Sequence, residues 1–191
     1  MAGESARIPT IARAGAQQLA DTLAEVDEVS LDSLLGAVRR ARATYVLGAG
    51  RSLLMLRPLA MRLMHVGLTS HVVGDTTTPK FEAADLLIVA SGSGGTASVL
   101  NAARIAKKAG GTVAAFTISP ASELVDLADI VVRIPAYSDK GGFEEAARPV
   151  LPGGGLFEQS VLLLGDALIV PLAAAQGIST EAAFPLHANI E

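Results

Sequence analysis

The sequence predicts an α/β fold, a three-layer αβα sandwich around a five-stranded parallel sheet. Short apolar segments alternate with helical patterns from residue 43 to residue 134, which is typical of parallel strands covered by helices on both faces. Half of the residues are hydrophobic but only 4% are aromatic, so small and aliphatic side chains must fill the core. Because crossovers between parallel strands are right-handed, few topologies remain, and we expect the flavodoxin-like strand order 2-1-3-4-5.

Apolar segments and helical spacing give the predicted elements. The strands are 43–47, 70–73, 86–90, 112–117 and 130–134. The helices are 8–27, a helix to about residue 40 with Ser30 as its N-cap, 53–66, 95–109, a short helix from Ser119 to Leu127, and 156–175, followed by a short last helix. Pro58 falls in the first turns of its helix, where a missing N–H is tolerated. We expect one domain over residues 1–191, with the N-terminal helices of 8–40 and the C-terminal helices of 155–186 as packing and oligomerisation elements.

Composition narrows the range of partners. The formal net charge is −4 and no basic run is present, so nucleic acid is not an expected partner. The chain has no Cys, and its His, Asp and Glu residues lack metal-ligand spacing, so we expect neither a disulfide nor a metal site. Residues 1–10 lack the pattern of a signal peptide and the apolar runs are short for a membrane span, which predicts a cytoplasmic protein with no membrane partner. The mean hydropathy of +0.45 indicates an apolar subunit interface and hence a homo-oligomer.

The loop Ser91-Gly92-Ser93-Gly94-Gly95-Thr96 lies between the apolar segment 86–90 and a helical pattern. In that context the unpaired N–H groups of a helix N-terminus and the helix dipole favour an anion. Glycines allow close approach of the backbone, and hydroxyl groups add donors. The loop by itself fits phosphate binding and the packing of small residues equally well.

A second loop, Gly48-Ala49-Gly50-Arg51-Ser52, follows the first predicted strand. A dinucleotide fingerprint would place its third glycine at Leu53, so that type of site is disfavoured. Arg51 and Ser52 instead suit a phosphosugar, because a guanidinium fork and a hydroxyl both recognise phosphate oxygens. In the order 2-1-3-4-5 the two loops meet at the topological switch point, where open parallel sheets bind ligands.

Glu158 and three histidines are the candidate proton carriers. Glu158 lies in the first turn of an apolar helix, where it is either a general base or simply a partner of the helix dipole. His65 and His71 are more typical of packing or surface residues. His187 lies in the polar tail and stays a candidate, because imidazole titrates near neutral pH.

Several of these segments together resemble the sugar isomerase (SIS) domain family, and within it the 6-phospho-3-hexuloisomerases of the ribulose monophosphate pathway. The segments are 48–52, 60–65, 73–76, 91–96, 156–160 and the terminal His187-Ala188-Asn189-Ile190-Glu191. The resemblance runs from about residue 43 to the end of the chain. It implies the isomerisation of D-arabino-3-hexulose 6-phosphate to fructose 6-phosphate through an enediol, by a homotetramer with no metal or organic cofactor.

The resemblance also implies roles for individual residues. The loops around Gly50 and Gly92 would bind the sugar phosphate. The phosphate would be held by Ser52, Ser91, Ser93 and Thr96, with Arg51 on the sugar or its phosphate. Glu158 would be the acid/base, assisted by His187.

Three features depart from the family pattern. Leu53 and Leu54 stand where a small residue is common, Gly95 stands where a polar residue is common, and the loop 136–154 is longer than expected. Two alternatives therefore remain beside the hexulose phosphate isomerase. One is another aldose–ketose isomerase of the same domain type, and the other is a non-catalytic phosphosugar sensor, which would need neither Glu158 nor His187.

Overall fold

The computed structural model describes residues 7–137 and 149–178. Its elements, in chain order, are α1 (Ile8–Ala24), α2 (Glu28–Arg40), β1 (Thr44–Gly48), α3 (Arg51–His65), β2 (Ser70–Val72), β3 (Leu86–Ala90), α4 (Ala97–Lys108), β4 (Thr112–Thr117), α5 (Glu123–Leu127), β5 (Ile130–Arg133) and α6 (Gly155–Ala175). The five strands form one parallel sheet in the order β2-β1-β3-β4-β5. The predicted order 2-1-3-4-5 is confirmed.

The sheet lies between two helical layers. Every residue of β1 and β3 is buried, and successive side chains of a strand point to opposite faces. Val46 and Ile88 pack in the cluster that includes α2, α3 and α6, whereas Tyr45 and Val89 pack with α4 and α5. The predicted αβα sandwich is thus confirmed, with apolar strands as expected for a sheet covered on both sides.

Helix starts differ from the prediction at three places. Asp27, not Ser30, caps α2, because its carboxylate accepts a hydrogen bond from Ser30 N at 2.8 Å. The short helix α5 begins at Glu123 with Ser122 as its cap, not at Ser119. Since α3 begins at Arg51, Pro58 lies inside that helix rather than in its first turn.

The last described helix, α6, packs on α3 and α1. Among the described residues it is the one helix long and apolar enough, by length and composition, to cross a membrane. Its buried residues, however, include Leu156, Val161 and Leu172, which belong to the core cluster under the sheet. In its most apolar stretch 39% of the residues are buried, and one helix of this length and composition is weak evidence for a membrane span. The predicted short helix after α6 lies outside the described residues.

Candidate active site

The carboxyl ends of β1 and β3 lie side by side, with Gly48 paired to Ala90. A cleft of about 370 Å³ opens there. It is lined by Gly50, Arg51, Ser52, Ser91, Gly92, Ser93, Thr96 and Glu158, together with Ala49, Ala90, Ile118, Gly153, Gly154 and Phe157. The structure therefore brings every predicted site residue into one cleft except His187, which lies outside the described residues.

The first wall of the cleft is the start of α3. Gly50, its N-cap, has φ 56° and ψ −131°, a combination that essentially only glycine adopts. A Cβ on Gly48 would lie 2.7 Å from the backbone N of Leu53. These two glycines allow the chain to turn from the strand directly into the helix, which places Arg51 and Ser52 at its first positions.

The second wall is the loop 91–96, whose shape is fixed by hydrogen bonds. The hydroxyls of Ser91 and Thr96 are 2.9 Å apart and bonded to each other, and Gly92 O accepts from the amides of Ile118 and Ser119. Gly94 has φ 65°, and a Cβ there would lie 2.0 Å from Ser122 Oγ. Position 94 therefore requires glycine for two independent reasons: its positive φ and the lack of space for a Cβ.

Three helix N-termini face this cleft, those of α3, α4 and α6. None of the three carries a side-chain cap. At α4 the N-cap residue is Thr96, but its hydroxyl bonds to Ser91 rather than to its own helix. The amides of these first turns are therefore available as donors, and the helix dipoles add positive potential for an anion.

Glu158 reaches the cleft from the first turn of α6 and forms an ion pair with Arg51. Nε of Arg51 donates to Oε2 of Glu158. The Glu158 side chain is 13% exposed, whereas that of Arg51 is 61% exposed. The pair joins the start of α3 to the start of α6 across the cleft. No pattern in the sequence predicts this contact, because the two residues are 107 positions apart.

The departures from the family pattern have small structural effects. A Cβ on Gly95 would have Ser93 Oγ, at 3.9 Å, as its nearest neighbour, so a larger residue would fit there. Leu53 and Leu54 do not line the cleft. Of the long loop 136–154, residues 138–148 lie outside the described residues, while Gly153 and Gly154 form part of the cleft wall.

The remaining histidines lie away from this site. His65 is buried in α3, and His71 in β2 packs against the ring of Tyr45 with centroids 5.0 Å apart. His71 lines a separate cleft of about 320 Å³, beside the Arg57–Asp75 ion pair. Within residues 7–137 and 149–178, no three His, Asp or Glu side chains are grouped for a metal ion.

Residues 37–144 match the family model described as the SIS domain. The chain belongs to the SIS domain family. It is similar to the 3-hexulose-6-phosphate isomerase of Mycobacterium gastri, with 45% identity over 91% of this chain and 86% of that protein. The 3-hexulose-6-phosphate isomerase of Bacillus subtilis is 39% identical over 91% of this chain and 94% of that protein.

A solved structure gives the same result at the level of the fold. The crystal structure of a hypothetical protein from Methanococcus jannaschii, for which a function as 3-hexulose-6-phosphate isomerase was inferred, superimposes with a TM-score of 0.80. It is 32% identical, and the match covers 94% of this chain and 98% of that one. Glu158 lies beyond the matched domain segment, so the family model does not cover this carboxylate.

Proposed function

We propose that this protein is a sugar-phosphate isomerase that interconverts D-arabino-3-hexulose 6-phosphate and fructose 6-phosphate. The observation that carries the proposal is the placement of one carboxylate among phosphate-type donors in a single cleft. Its volume of about 370 Å³ is of the size that holds small ligands. The relatives named as 3-hexulose-6-phosphate isomerases cover nearly the whole chain, which supports the same assignment.

In this proposal the phosphate binds at the open helix N-termini. The hydroxyls of Ser52, Ser93 and Thr96 and the first-turn amides of α3 and α4 donate to its oxygens. Ser91 positions Thr96 through their hydroxyl pair. Arg51 adds the one cationic side chain among the described residues that line the cleft. Anchoring the phosphate fixes the sugar carbons relative to Glu158, which converts binding energy into orientation.

The proton transfers follow from the chemistry of the two ketoses. Glu158 removes the proton from C2 of the 3-ketose, which gives a 2,3-enediol, and returns a proton to C3 on the same face. The proton on the C2 hydroxyl must leave and the C3 oxygen must gain one, so a second group is needed. His187 is our proposal for that group, and its role rests on the resemblance alone.

We also propose a homotetramer in which the N-terminal and C-terminal helices form contacts, together with the exposed face of α3 beside α6. Leu54 and Met61 of α3 and Leu163 and Val170 of α6 are exposed apolar side chains, and α3 packs directly on α6. A surface of this kind is typical of subunit interfaces. Sedimentation equilibrium tests the proposal, since a monomer at micromolar concentration would contradict it.

A coupled assay tests the proposed reaction. The purified chain is given D-arabino-3-hexulose 6-phosphate, and fructose 6-phosphate is measured as it forms, beside a panel of aldose and ketose phosphates of other lengths. We expect turnover of the 3-ketose well above that of the panel. Preference for another sugar phosphate would indicate a different isomerase, and binding without turnover on any of them would indicate a sensor.

A further inference from the structure

The ion pair between Arg51 and Glu158 places the catalytic base of the proposed reaction against the cation of the proposed phosphate site. Nε of Arg51 donates to one carboxylate oxygen of Glu158, Oε2. A carboxylate oxygen engaged by a guanidinium is a weaker acceptor for a carbon-bound proton. The two groups therefore oppose each other's function until the contact changes.

A phosphate dianion would compete with Glu158 for Arg51. Both residues line the cleft, and the side chain of Arg51 is 61% exposed while that of Glu158 is 13% exposed, so a ligand reaches Arg51 more easily than it reaches Glu158. Arg binds phosphate through two parallel charge-assisted bonds. The contact with Glu158 uses Nε of Arg51, whereas a phosphate dianion accepts two parallel bonds from the guanidinium and carries more charge, so exchange of partners favours the phosphate.

We propose that Arg51 couples phosphate binding to release of Glu158. In the free site Arg51 holds the carboxylate in place, and the phosphate of the ligand takes over the guanidinium, which leaves Oε2 free to accept the proton from the sugar. The catalytic consequence rests on the proposed isomerase function. The competition itself does not, because it concerns only an anion, a cation and a carboxylate in one cleft.

A double-mutant cycle on phosphate affinity tests the coupling without any turnover. Calorimetric titration with inorganic phosphate is carried out on the wild-type chain, Glu158→Gln, Arg51→Met and the double variant. Glu158→Gln removes the competitor, so we expect phosphate to bind at least about 3-fold tighter than in the wild type. In the Arg51→Met background the same change should alter affinity by less than about 1.5-fold.

Two results would overturn the proposal. Unchanged or weaker phosphate binding in Glu158→Gln would mean that the carboxylate does not compete. An equal gain in both backgrounds would mean that Glu158 repels phosphate directly, without Arg51. Arg51→Gln serves as a second background should Arg51→Met not fold, as judged by circular dichroism. Failure of the isomerase assay would leave the cycle interpretable, so the two proposals can fail separately.

Discussion

The amino-terminal and carboxyl-terminal edges of the sheet differ in how their backbone N–H donors are satisfied. At the amino-terminal edge, carboxylates accept hydrogen bonds from backbone amides. Asp85, just before β3, accepts from Arg42 at 2.8 Å and from Glu82 N at 2.7 Å. Asp129, just before β5, accepts from Val113 N at 2.9 Å and from Lys107. Both carboxylates satisfy backbone donors where strands begin, which stabilises the ends of the parallel ladder.

Around the cleft at the carboxyl-terminal edge, three helix starts, those of α3, α4 and α6, have no side-chain cap. Among the other helices, α2 is capped by Asp27 and α5, which follows β4, by Ser122, whereas α1 has no side-chain cap. A cap contributes about 1 kcal/mol, so each open start lowers stability by a comparable amount. The difference indicates that the amino-terminal edge serves stability and the cleft at the other edge serves binding, and the following variants test this contrast.

The largest expected effect is that of Glu158→Gln on turnover. Loss of a general base lowers kcat by about 10²- to 10⁴-fold, while the free energy of unfolding should change by less than about 1 kcal/mol because the Arg51 partner is exposed. The coupled assay and urea denaturation measure the two quantities. Glu123→Gln, in the exposed pair with Arg104, is the matched control and should retain full turnover. Near-wild-type kcat in Glu158→Gln would exclude this residue as the base.

Asp85→Ala should have the opposite profile. The carboxylate is buried, and its loss leaves the Glu82 amide without its acceptor and Arg42 with Glu82 as its remaining partner, so we expect a loss of about 1–3 kcal/mol in unfolding free energy. Phosphate affinity should stay within about 2-fold of wild type, since Asp85 does not line the cleft and distant sites act independently. Glu82→Ala removes an exposed partner of the same Arg42 and should lower stability by less than about 1 kcal/mol. A clear change in phosphate affinity in Asp85→Ala would show that the edges are coupled.

Adjacent glycines of the loop provide a third test. Gly94→Ala forces a side chain onto φ 65° and against Ser122, which should destabilise the chain by about 1–3 kcal/mol and weaken phosphate binding. Gly95→Ala adds a Cβ in open space and should change stability by less than about 0.5 kcal/mol. Thermal denaturation and phosphate titration compare the two. Equal effects in both variants would contradict a loop whose shape is fixed at Gly94.

The smallest expected effect is a pH dependence from Asp129. Burial opposes ionisation, but the hydrogen bonds from Lys107 and from the Val113 amide outweigh it and lower the pKa of Asp129. A pKa below the unfolded value of about 3.9 stabilises the folded chain above that pH, and this stabilisation is lost as the pH falls through the folded-state pKa. Asp129→Asn should therefore be less stable than wild type near neutral pH, and the difference should shrink in acid. Urea denaturation across that range measures it, and a difference independent of pH would contradict the assignment.

The sequence was sufficient for the sheet and for most of the cleft. Alternating apolar segments and right-handed crossovers leave few strand orders, and the order 2-1-3-4-5 then places 48–52 beside 91–96. Neighbouring candidates for the same helix cap are harder to distinguish from the sequence. Asp27 and Ser30 are both good N-cap residues, and hydrophobic spacing does not decide between them. The predicted start of α3 at residue 53 is too late, because a glycine at φ 56° lets the helix begin directly after the strand.

Contacts between distant residues could not be predicted. Arg51 and Glu158 are separated by 107 positions. The wall formed by Gly153 and Gly154 depends on how α6 packs on α3, and Ile118 enters from the end of β4, where its amide bonds to Gly92 O. Only the folded core brings such residues together. The role of His187 stays a prediction, because this residue lies outside those that the structure describes.

The central claim is that the carboxyl-terminal edge of the sheet binds a sugar phosphate through open backbone amides. A titration of the ¹⁵N-labelled chain with fructose 6-phosphate, followed by amide shifts in TROSY spectra, tests it residue by residue. We expect saturable shifts at Ser52, Ser93 and Thr96 and little change at Glu82 and Val113, whose amides are already bonded to carboxylates. Shifts confined to the amino-terminal edge, or centred on the separate cleft at His71, would contradict the account.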